Sequence, residues 1–453
     1  MPNSPLITRI RVVNLFGLYT YTLPRESEFS DAVVLYGDNG VGKSTVLRLV
    51  FHMLSSADNK GHRTALLQGD FELLQVELQS GVFLSAEKVT GPPLGLLFKI
   101  SKNDELVAEW TFYGDHRSDA KEEVIITTEG RMERRRIIRS QLKQDSKTGH
   151  IAYMAALKQH APSIYILNAE RRLYSDGVAD PSDEVELRRL MHFEEPTRIN
   201  DLLLRSREIG LSQALNTTAK WFSQKAVIGA NQGSVNVHST YVQILKQLTS
   251  QPHGDIEQDG NDSDLPDRLK EIERKVSERS AYELSSVLDI DPFVGALSSG
   301  SMPNRKLAAG ILKPYVNSLE ARLAALEPVY HTLDRFVKTL NIFLNDKTIS
   351  FTLSKGFMII GRRGNVLEPG QLSSGEQQLL LLFCYAVVAR ETPSVFMIDE
   401  PELSLNIKWQ RQLINSLLAV TEGAPIQFIL ASHSLELLAQ HRDRVVQLVN
   451  ENA

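Results

Sequence analysis

Cysteine is almost missing from this chain. A single one, Cys384, stands among 453 residues, which excludes a disulfide scaffold and a cysteine-based zinc site and suits a reducing compartment. Strong charge of either sign is missing too. The formal net charge is −5, which argues against indiscriminate coating of nucleic acid but leaves room for a local basic patch. Long hydrophobic runs are also absent. The longest, Leu379 to Ala389, is too short for a membrane span and is expected as a helix buried on all sides. Met1 to Arg11 lacks the apolar core of a signal peptide. A soluble, cytoplasmic protein with no membrane partner is expected. The length is enough for about three domain equivalents.

What is present begins with strands. Ile7 to Leu23 is rich in Ile, Val, Leu and Tyr and predicts two strands joined near Asn14-Leu15-Phe16-Gly17. Ala32-Val33-Val34-Leu35-Tyr36 is a short continuous apolar run, as expected of a strand buried on both faces. It feeds into Gly37-Asp38-Asn39-Gly40-Val41-Gly42-Lys43-Ser44-Thr45, which fits the phosphate-binding pattern G-x-x-x-x-G-K-[ST] in full, with helical spacing after it. Gly37, Gly40 and Gly42 let the backbone wrap so that its N–H groups point at a phosphate. The following helix adds a partial positive charge of about half a unit at its N-terminus. Lys43 is expected to reach the β- and γ-phosphates of a nucleotide, and the Ser44 hydroxyl to bind Mg²⁺.

Phe71 to Tyr113 alternates apolar and polar residues between turn signals, which predicts an antiparallel sheet. Arg131 to Arg139 is the most basic short segment. It suits nucleic-acid phosphates or an acidic partner, although a solvated or internally paired face is the commoner use of such a run. Ser163 to Leu167 is another buried-strand pattern, ending in Asn168-Ala169-Glu170-Arg171-Arg172. Those polar residues fit either a nucleotide contact at a strand end or a helix anchor.

Between residues 181 and 345 the pattern turns helical. Glu186 to Arg207 and Leu211 to Gln224 carry apolar residues at helical spacing. Ser250 to Asp267 is acidic, rich in Gly and Pro and poor in apolar side chains, so a mobile loop is expected there. Leu265, Leu269, Ile272 and Val276 make one stripe, broken too soon for a long coiled coil. Leu312, Tyr315, Leu319, Leu323 and Leu326 make a second, kinked by Pro314. A third starts after Pro328 and runs through Val329, Leu333, Phe336, Val337, Leu340 and Phe343. The pair Asp289 and Asp291 reads as a helix boundary rather than a metal motif.

Strand patterns resume at Thr348 to Leu353 and Phe357 to Ile360. Then comes Leu372-Ser373-Ser374-Gly375-Glu376-Gln377-Gln378, able to present a hydroxyl and backbone N–H groups to a phosphate. Ser394 to Ile398 is a strand ending in Asp399-Glu400. Asp399 suits the Mg²⁺ shell, and Glu400 can orient or deprotonate an attacking water. Gln427 to Ala431 is one more apolar strand, ending in Ser432-His433-Ser434, where a histidine can sense a γ-phosphate.

Taken together these residues resemble the ABC-type ATPases, in the soluble branch that includes the SMC, Rad50, RecF and OLD proteins. Gly37 to Thr45 resembles that family's Walker A loop. Leu372-Ser373-Ser374-Gly375-Glu376 resembles its signature, with Ser374 where glycine is commoner. Asp399-Glu400 matches its Walker B pair, His433 its switch histidine, and Glu402 to Asn406 sits where the D-loop belongs, with Asn406 where relatives often carry histidine. No glutamine is assigned to the Q-loop.

The resemblance implies an α/β fold: a P-loop ABC-type ATPase head with an antiparallel β-subdomain and a large, mainly helical insertion. The expected division is residues 1–180, the N-terminal half of the head; 181–345, the insertion; and 346–453, the C-terminal half. ATP and Mg²⁺ are the implied cofactors. Gly37, Asn39, Gly40, Gly42, Lys43, Ser44, Thr45, Ser373, Gly375 and Glu376 are the implied nucleotide contacts. Ser44 and Asp399 are the implied metal ligands, and Glu400 and His433 the catalytic residues. In such a family two heads sandwich ATP, so a second copy of the chain is an expected partner.

Within the branch, the signature and Walker B stretches look most like the ATPases of bacterial anti-phage systems, with the PARIS type first and the Septu and retron-associated types next. Too few residues follow His433 for the TOPRIM-like nuclease domain of OLD proteins. A separately encoded effector nuclease or toxin and a phage-encoded trigger are therefore expected. The alternative is a DNA-repair ATPase of the RecF or Rad50 kind, with DNA as partner. A transporter subunit fits least, because of the helical insertion.

Overall fold

A row of strands with no polar face occupies the middle of the first compact unit. In the computed structural model, which describes residues 6–58, 60–89, 91, 94–113, 148–168, 173–176, 209–231, 264–298, 302–403 and 405–452, the chain divides into two units. One comprises residues 1–207 with 389–453, the other 208–388. Among the described residues no helix is long and apolar enough to cross a membrane. The basic run Arg131 to Arg139, the segment Ala169 to Arg172, the expected helix Glu186 to Arg207 and most of the acidic stretch Ser250 to Asp267 lie outside the described residues.

Among the described residues the first unit holds two six-stranded sheets. One is built from β1 (Ile7–Leu15), β2 (Tyr19–Leu23), β4 (Leu73–Leu78), β5 (Val82–Val89), β6 (Gly95–Lys102) and β7 (Glu105–Tyr113), in the order β2-β1-β4-β5-β6-β7 with antiparallel neighbours. Its strands alternate buried and half-buried residues, as β4 does throughout, because one face meets the core and the other is partly wet. The other sheet contains β3 (Ala32–Tyr36), β8 (Ser163–Leu167), β9 (Leu173–Ser175), β13 (Ser394–Asp399), β14 (Ile426–Ser432) and β15 (Val445–Gln447), in the order β15-β3-β14-β13-β8-β9. All its neighbours are parallel except β8 and β9. Every residue of β13 and β14 is buried, the signature of strands covered on both faces.

One buried amide ties the two sheets together. Gln427 of β14 is fully buried. Its Oε1 accepts the Ile7 and Leu6 backbone N–H groups at 2.8 and 3.2 Å, and its Nε2 donates to the Ile7 and Ser30 carbonyls, both at 2.9 Å. That uses the full donor and acceptor capacity of a glutamine. Helix α1 (Lys43–Leu54) follows β3, and helix α2 (His62–Gln68) packs beside it. Arg63 of α2 donates to the carbonyls of His52 and Ser55 at 2.8 and 2.7 Å, satisfying the otherwise open C-terminal end of α1.

Between these helices the Nδ1 atoms of His52 and His62 lie 2.9 Å apart. Burial, more than neighbouring charge, lowers both imidazoles from 6.5 to about 4. Asp176, 3.8 Å from His62 Nε2, pulls the other way but does not win. Between the folded and unfolded values the fold keeps both rings neutral while the unfolded chain binds protons. Stability is therefore full above about pH 6.5 and is lost as pH falls toward about 4, by a few kcal/mol. A melting temperature that drops steadily over this interval, and drops less in His52→Gln, is the expected result. An unchanged slope in that variant would contradict it.

The second unit is mainly helical. Residues 209–231 form one helix, followed by Leu265–Ser280, Asp291–Ser298 and a helix of 42 residues, Met302–Phe343. Leu265, Leu269, Ile272 and Val276 pack with Val316 and Leu323, as their spacing predicts. Asp289 accepts the Asp291 N–H at 3.1 Å and marks a helix start. The long helix departs from expectation, since it runs through both Pro314 and Pro328 without ending. An internal proline costs about 3 kcal/mol. The burial of Val316, Leu323, Leu326, Leu333, Phe336 and Leu340 along that helix offsets the loss.

A three-stranded sheet, β10 (Lys347–Thr352), β11 (Gly356–Gly361) and β12 (Val366–Leu367), and the helix Ser374–Val388 also belong to this unit. These elements were expected in a C-terminal half beginning at residue 346. They fall with the helices because, among the described residues, β10–β12 pair only with one another and the Phe383 ring packs at a tilt against Phe343 of the long helix.

Candidate functional site

Register brings the first group of site residues together. β14 lies between β3 and β13, with Ser432 opposite Tyr36 and Ala431 opposite Asp399. The three parallel strands therefore end level with one another, and the loops that open at Gly37, Glu400 and His433 share one edge. This is where open α/β sheets hold their ligands.

The loop at Gly37 turns through left-handed backbone at Gly40 and Gly42, with φ of 84° and 94°. Gly42 is required twice over. A Cβ there would also meet Leu15 Cδ2 at 2.7 Å and Phe16 Cε2 at 3.2 Å, so the β1–β2 turn packs directly on the loop. Gly42 caps α1 without a side chain, leaving the first-turn N–H groups, Ser44 and Thr45 among them, oriented for an anion. Lys43 is buried, and its Nζ donates to the Gly37 and Asp38 carbonyls at 2.7 and 2.9 Å. The lysine thus folds back over its own loop, holding open the curve in which Asn39 and Gly40 lie.

Ser44 Oγ donates to Asp399 Oδ1 at 2.7 Å, joining residues 355 positions apart. Burial raises the Asp399 carboxyl above its ordinary value. The Ser44 hydrogen bond and the Arg48 and Lys43 charges oppose that shift, while Glu402 adds to it. A hydroxyl and a carboxylate oxygen side by side are the hard oxygen donors that Mg²⁺ prefers. A cation there would also stabilise the carboxylate that burial disfavours, so this pair fits the metal.

Glu400 continues the ladder, its N–H donating to Ala431 O at 2.9 Å. Its φ of 49° lies in the left-handed region, which is uncommon for a residue with a Cβ. Among the described residues no hydrogen bond or ion pair engages its carboxylate, which leaves both oxygens to accept from a water. The His433 side chain is 47% exposed, and its Nδ1 lies 3.1 Å from Glu402 Oε1. Asn406, in the expected D-loop, caps the helix Ile407–Val420 by accepting the Trp409 N–H at 2.9 Å. Ser404 lies outside the described residues.

The second group belongs to the other unit. Ser373 precedes the helix Ser374–Val388, so Ser373, Ser374 and Gly375 sit at its N-terminus. Glu376 accepts the Ser373 N–H at 2.7 Å, and Ser373 Oγ accepts the Glu376 N–H at 3.4 Å, a reciprocal capping box. Lys347 Nζ donates to both Glu376 oxygens at 2.9 and 2.8 Å. Glu376 was expected to touch nucleotide. Its carboxylate is buried and held by Lys347 and the Ser373 N–H.

Sequence reasoning placed Glu402 only as the start of the D-loop and gave Arg63 and Gln427 no role. The signal for Glu402 was present: a third acid, three residues after Asp399.

A parallel sheet covered on both faces, a glycine loop running into α1, and a Ser–Asp pair at the strand ends define a P-loop ATPase. The head is of the ABC type, with an antiparallel β-subdomain and a helical region. Residues 32–439 match the family described as "AAA domain, putative AbiEii toxin, Type IV TA system", and the chain belongs to that family. It is similar to the lipoprotein-releasing system ATP-binding protein LolD of Ruegeria pomeroyi, 36% identical over 88 residues, which are 19% of this chain and 36% of that protein. It is also similar to the molybdenum import ATP-binding protein ModC of Escherichia coli, 35% identical over 82 residues, 18% of this chain and 22% of that one. The chain thus matches well under half the length of these relatives. Among solved structures, the Smc head domain with an extended coiled coil bound to the C-terminal domain of ScpA, from Pyrococcus furiosus, aligns over 96% of this chain and 92% of that one. Identity is 12% and the TM-score 0.34.

Proposed function

We propose that this chain is an ATP-driven switch of a bacterial anti-phage system, acting in the cytoplasm on a separately encoded effector. The contact that carries the ATPase part is Ser44 Oγ to Asp399 Oδ1 at 2.7 Å, which joins the phosphate loop to the acid pair. The N–H groups of Asn39 to Thr45 would cradle the β-phosphate, and Lys43 would leave its loop carbonyls for the β- and γ-phosphates. Ser44 and Asp399 would hold Mg²⁺, which when bound supplies charge neutralisation between those phosphates. Glu400 takes the proton of the attacking water as its oxygen bonds to the γ-phosphorus and the bond to ADP breaks. His433 contacts the γ-phosphate and registers its departure. Ser373 and Gly375 would complete the site of a second copy, so that ATP joins two heads.

The defence part is supported by the family's description as an AbiEii-type toxin and toxin–antitoxin protein, and by the resemblance of Asp399 to Leu405 to anti-phage ATPases, the PARIS type first. The transporter matches span under a fifth of the chain and support nucleotide binding alone. Co-purification with the product of the adjacent gene, together with phage protection by the pair, is the test. Recovery of the ATPase alone with no protection would overturn the reading. Salt-dependent DNA binding lost on charge reversal within Arg131–Arg139 would instead favour the RecF- or Rad50-like repair ATPase.

A further inference from the structure

Glu402 connects the loop after β13 to the turn after β14. It is 9% exposed, and its Oε1 accepts two hydrogen bonds, from Ser432 Oγ at 2.8 Å and from the His433 backbone N–H at 2.9 Å, while His433 Nδ1 lies 3.1 Å from the same oxygen. Further contacts tighten the junction. Ser432 Oγ accepts the Ser434 N–H at 3.0 Å, and Ser434 Oγ donates to Gln410 Oε1 at 2.7 Å. Gln410 Nε2 returns to Leu405 O at 2.9 Å and Glu402 O at 3.5 Å. Hydrogen bonds thus link Glu402 and Leu405 to Ser432, His433 and Ser434, with Gln410 as the bridge.

We propose that Glu402 is the positioning residue for His433. This deepens the ATPase reading above and rests on it for the role of the histidine. A carboxylate oxygen 3.1 Å from Nδ1 favours the tautomer that carries its hydrogen there, which leaves Nε2 as the nitrogen available to the ligand. A half-exposed ring without such a partner samples several rotamers, and a group aimed at a transferring phosphate loses rate when its geometry is not held. Glu402 supplies the hold through an oxygen that also anchors the backbone on which the ring sits. Because Glu402 and the Asp399–Glu400 pair share one short loop, the acid pair and the phosphate-sensing ring are positioned by the same segment.

Steady-state ATP turnover should be measured for Glu402→Ala, Glu402→Gln, His433→Ala and the double variant Glu402→Ala/His433→Ala. Imidazole ¹⁵N spectra of the nucleotide-free wild type and the Glu402 variants accompany them. Glu402→Ala should lower kcat roughly 10–100-fold, the range for partners that orient a functional histidine, with little change in KM. The double variant should be no slower than His433→Ala alone, because the two residues act as one unit. Glu402→Gln keeps an oxygen acceptor and the shape of the buried side chain, so it should fold and recover most of the rate. In the wild type His433 should show the Nδ1–H form, and Glu402→Ala should lose it. Losses that multiply in the double variant, or a wild-type histidine lacking the Nδ1–H form, would overturn the proposal. A wild type with no ATP turnover would overturn the ATPase reading, and the tautomer would then decide the tether by itself.

Discussion

Glu400→Gln should abolish most ATP turnover while leaving ATP binding intact. Glutamine has the size of glutamate but cannot take a proton from the attacking water, and loss of a general base costs about 10²–10⁴ in rate. That is roughly 3–5 kcal/mol of barrier. The backbone at this position has a φ of 49°, a strain that glutamine meets no worse than glutamate, so folding should be unaffected. Ser44 and Asp399, which would hold the cation, keep their contact. The variant should therefore accumulate with ATP bound, and if ATP joins two heads it should elute as a larger species with ATP than with ADP. Turnover at the wild-type rate would show that another group activates the water.

Lys43→Ala should instead lose ATP. Its ammonium is buried and already turned over the loop, donating to the Gly37 and Asp38 carbonyls, and no other cation lies within that loop. Saturating ATP with Mg²⁺ at about a hundred times its dissociation constant stabilises a folded protein by about 2.7 kcal/mol, a rise of a few degrees in melting temperature for a unit of this size. Wild type and Glu400→Gln should both show that rise, and Lys43→Ala should show none. A full ATP-induced rise in Lys43→Ala would remove the lysine from the site. The pair of variants separates binding from chemistry, which neither does alone.

Much of the fold was legible locally. The unbroken apolar runs of β3, β13 and β14 announce strands buried on both faces, and the alternation from Phe71 to Tyr113 announces a half-wet antiparallel sheet. The glycine loop and the adjacent acids were legible as chemistry because phosphate binding and water activation require those residue types at fixed short spacings. Other features were not. Pro314 and Pro328 signal breaks by local rules, but the long helix continues because packing along its length outweighs the two lost hydrogen bonds. Glu376 looks like part of a phosphate-contacting motif, and only the approach of Lys347, 29 residues away, turns it into a buried cap. Gln427 is a lone polar residue in an apolar strand until the Leu6, Ile7 and Ser30 backbones are seen to use all four of its hydrogen-bonding positions.

The sequence by itself determined the class of chemistry: a loop that wraps a phosphate, an acid pair at a strand end and a histidine at another. These depend on backbone freedom, charge and hydroxyl placement within a few residues. Tertiary structure decided which of those pieces meet. The order β3-β14-β13 brings Ser44 to Asp399 across 355 positions and sets His433 on the same edge, and no short-range spacing encodes strand order. It also set the Glu402 carboxylate, on the loop after β13, 3.1 Å from His433 Nδ1, because contacts between side chains far apart in the chain exist only once the strands that carry them are paired.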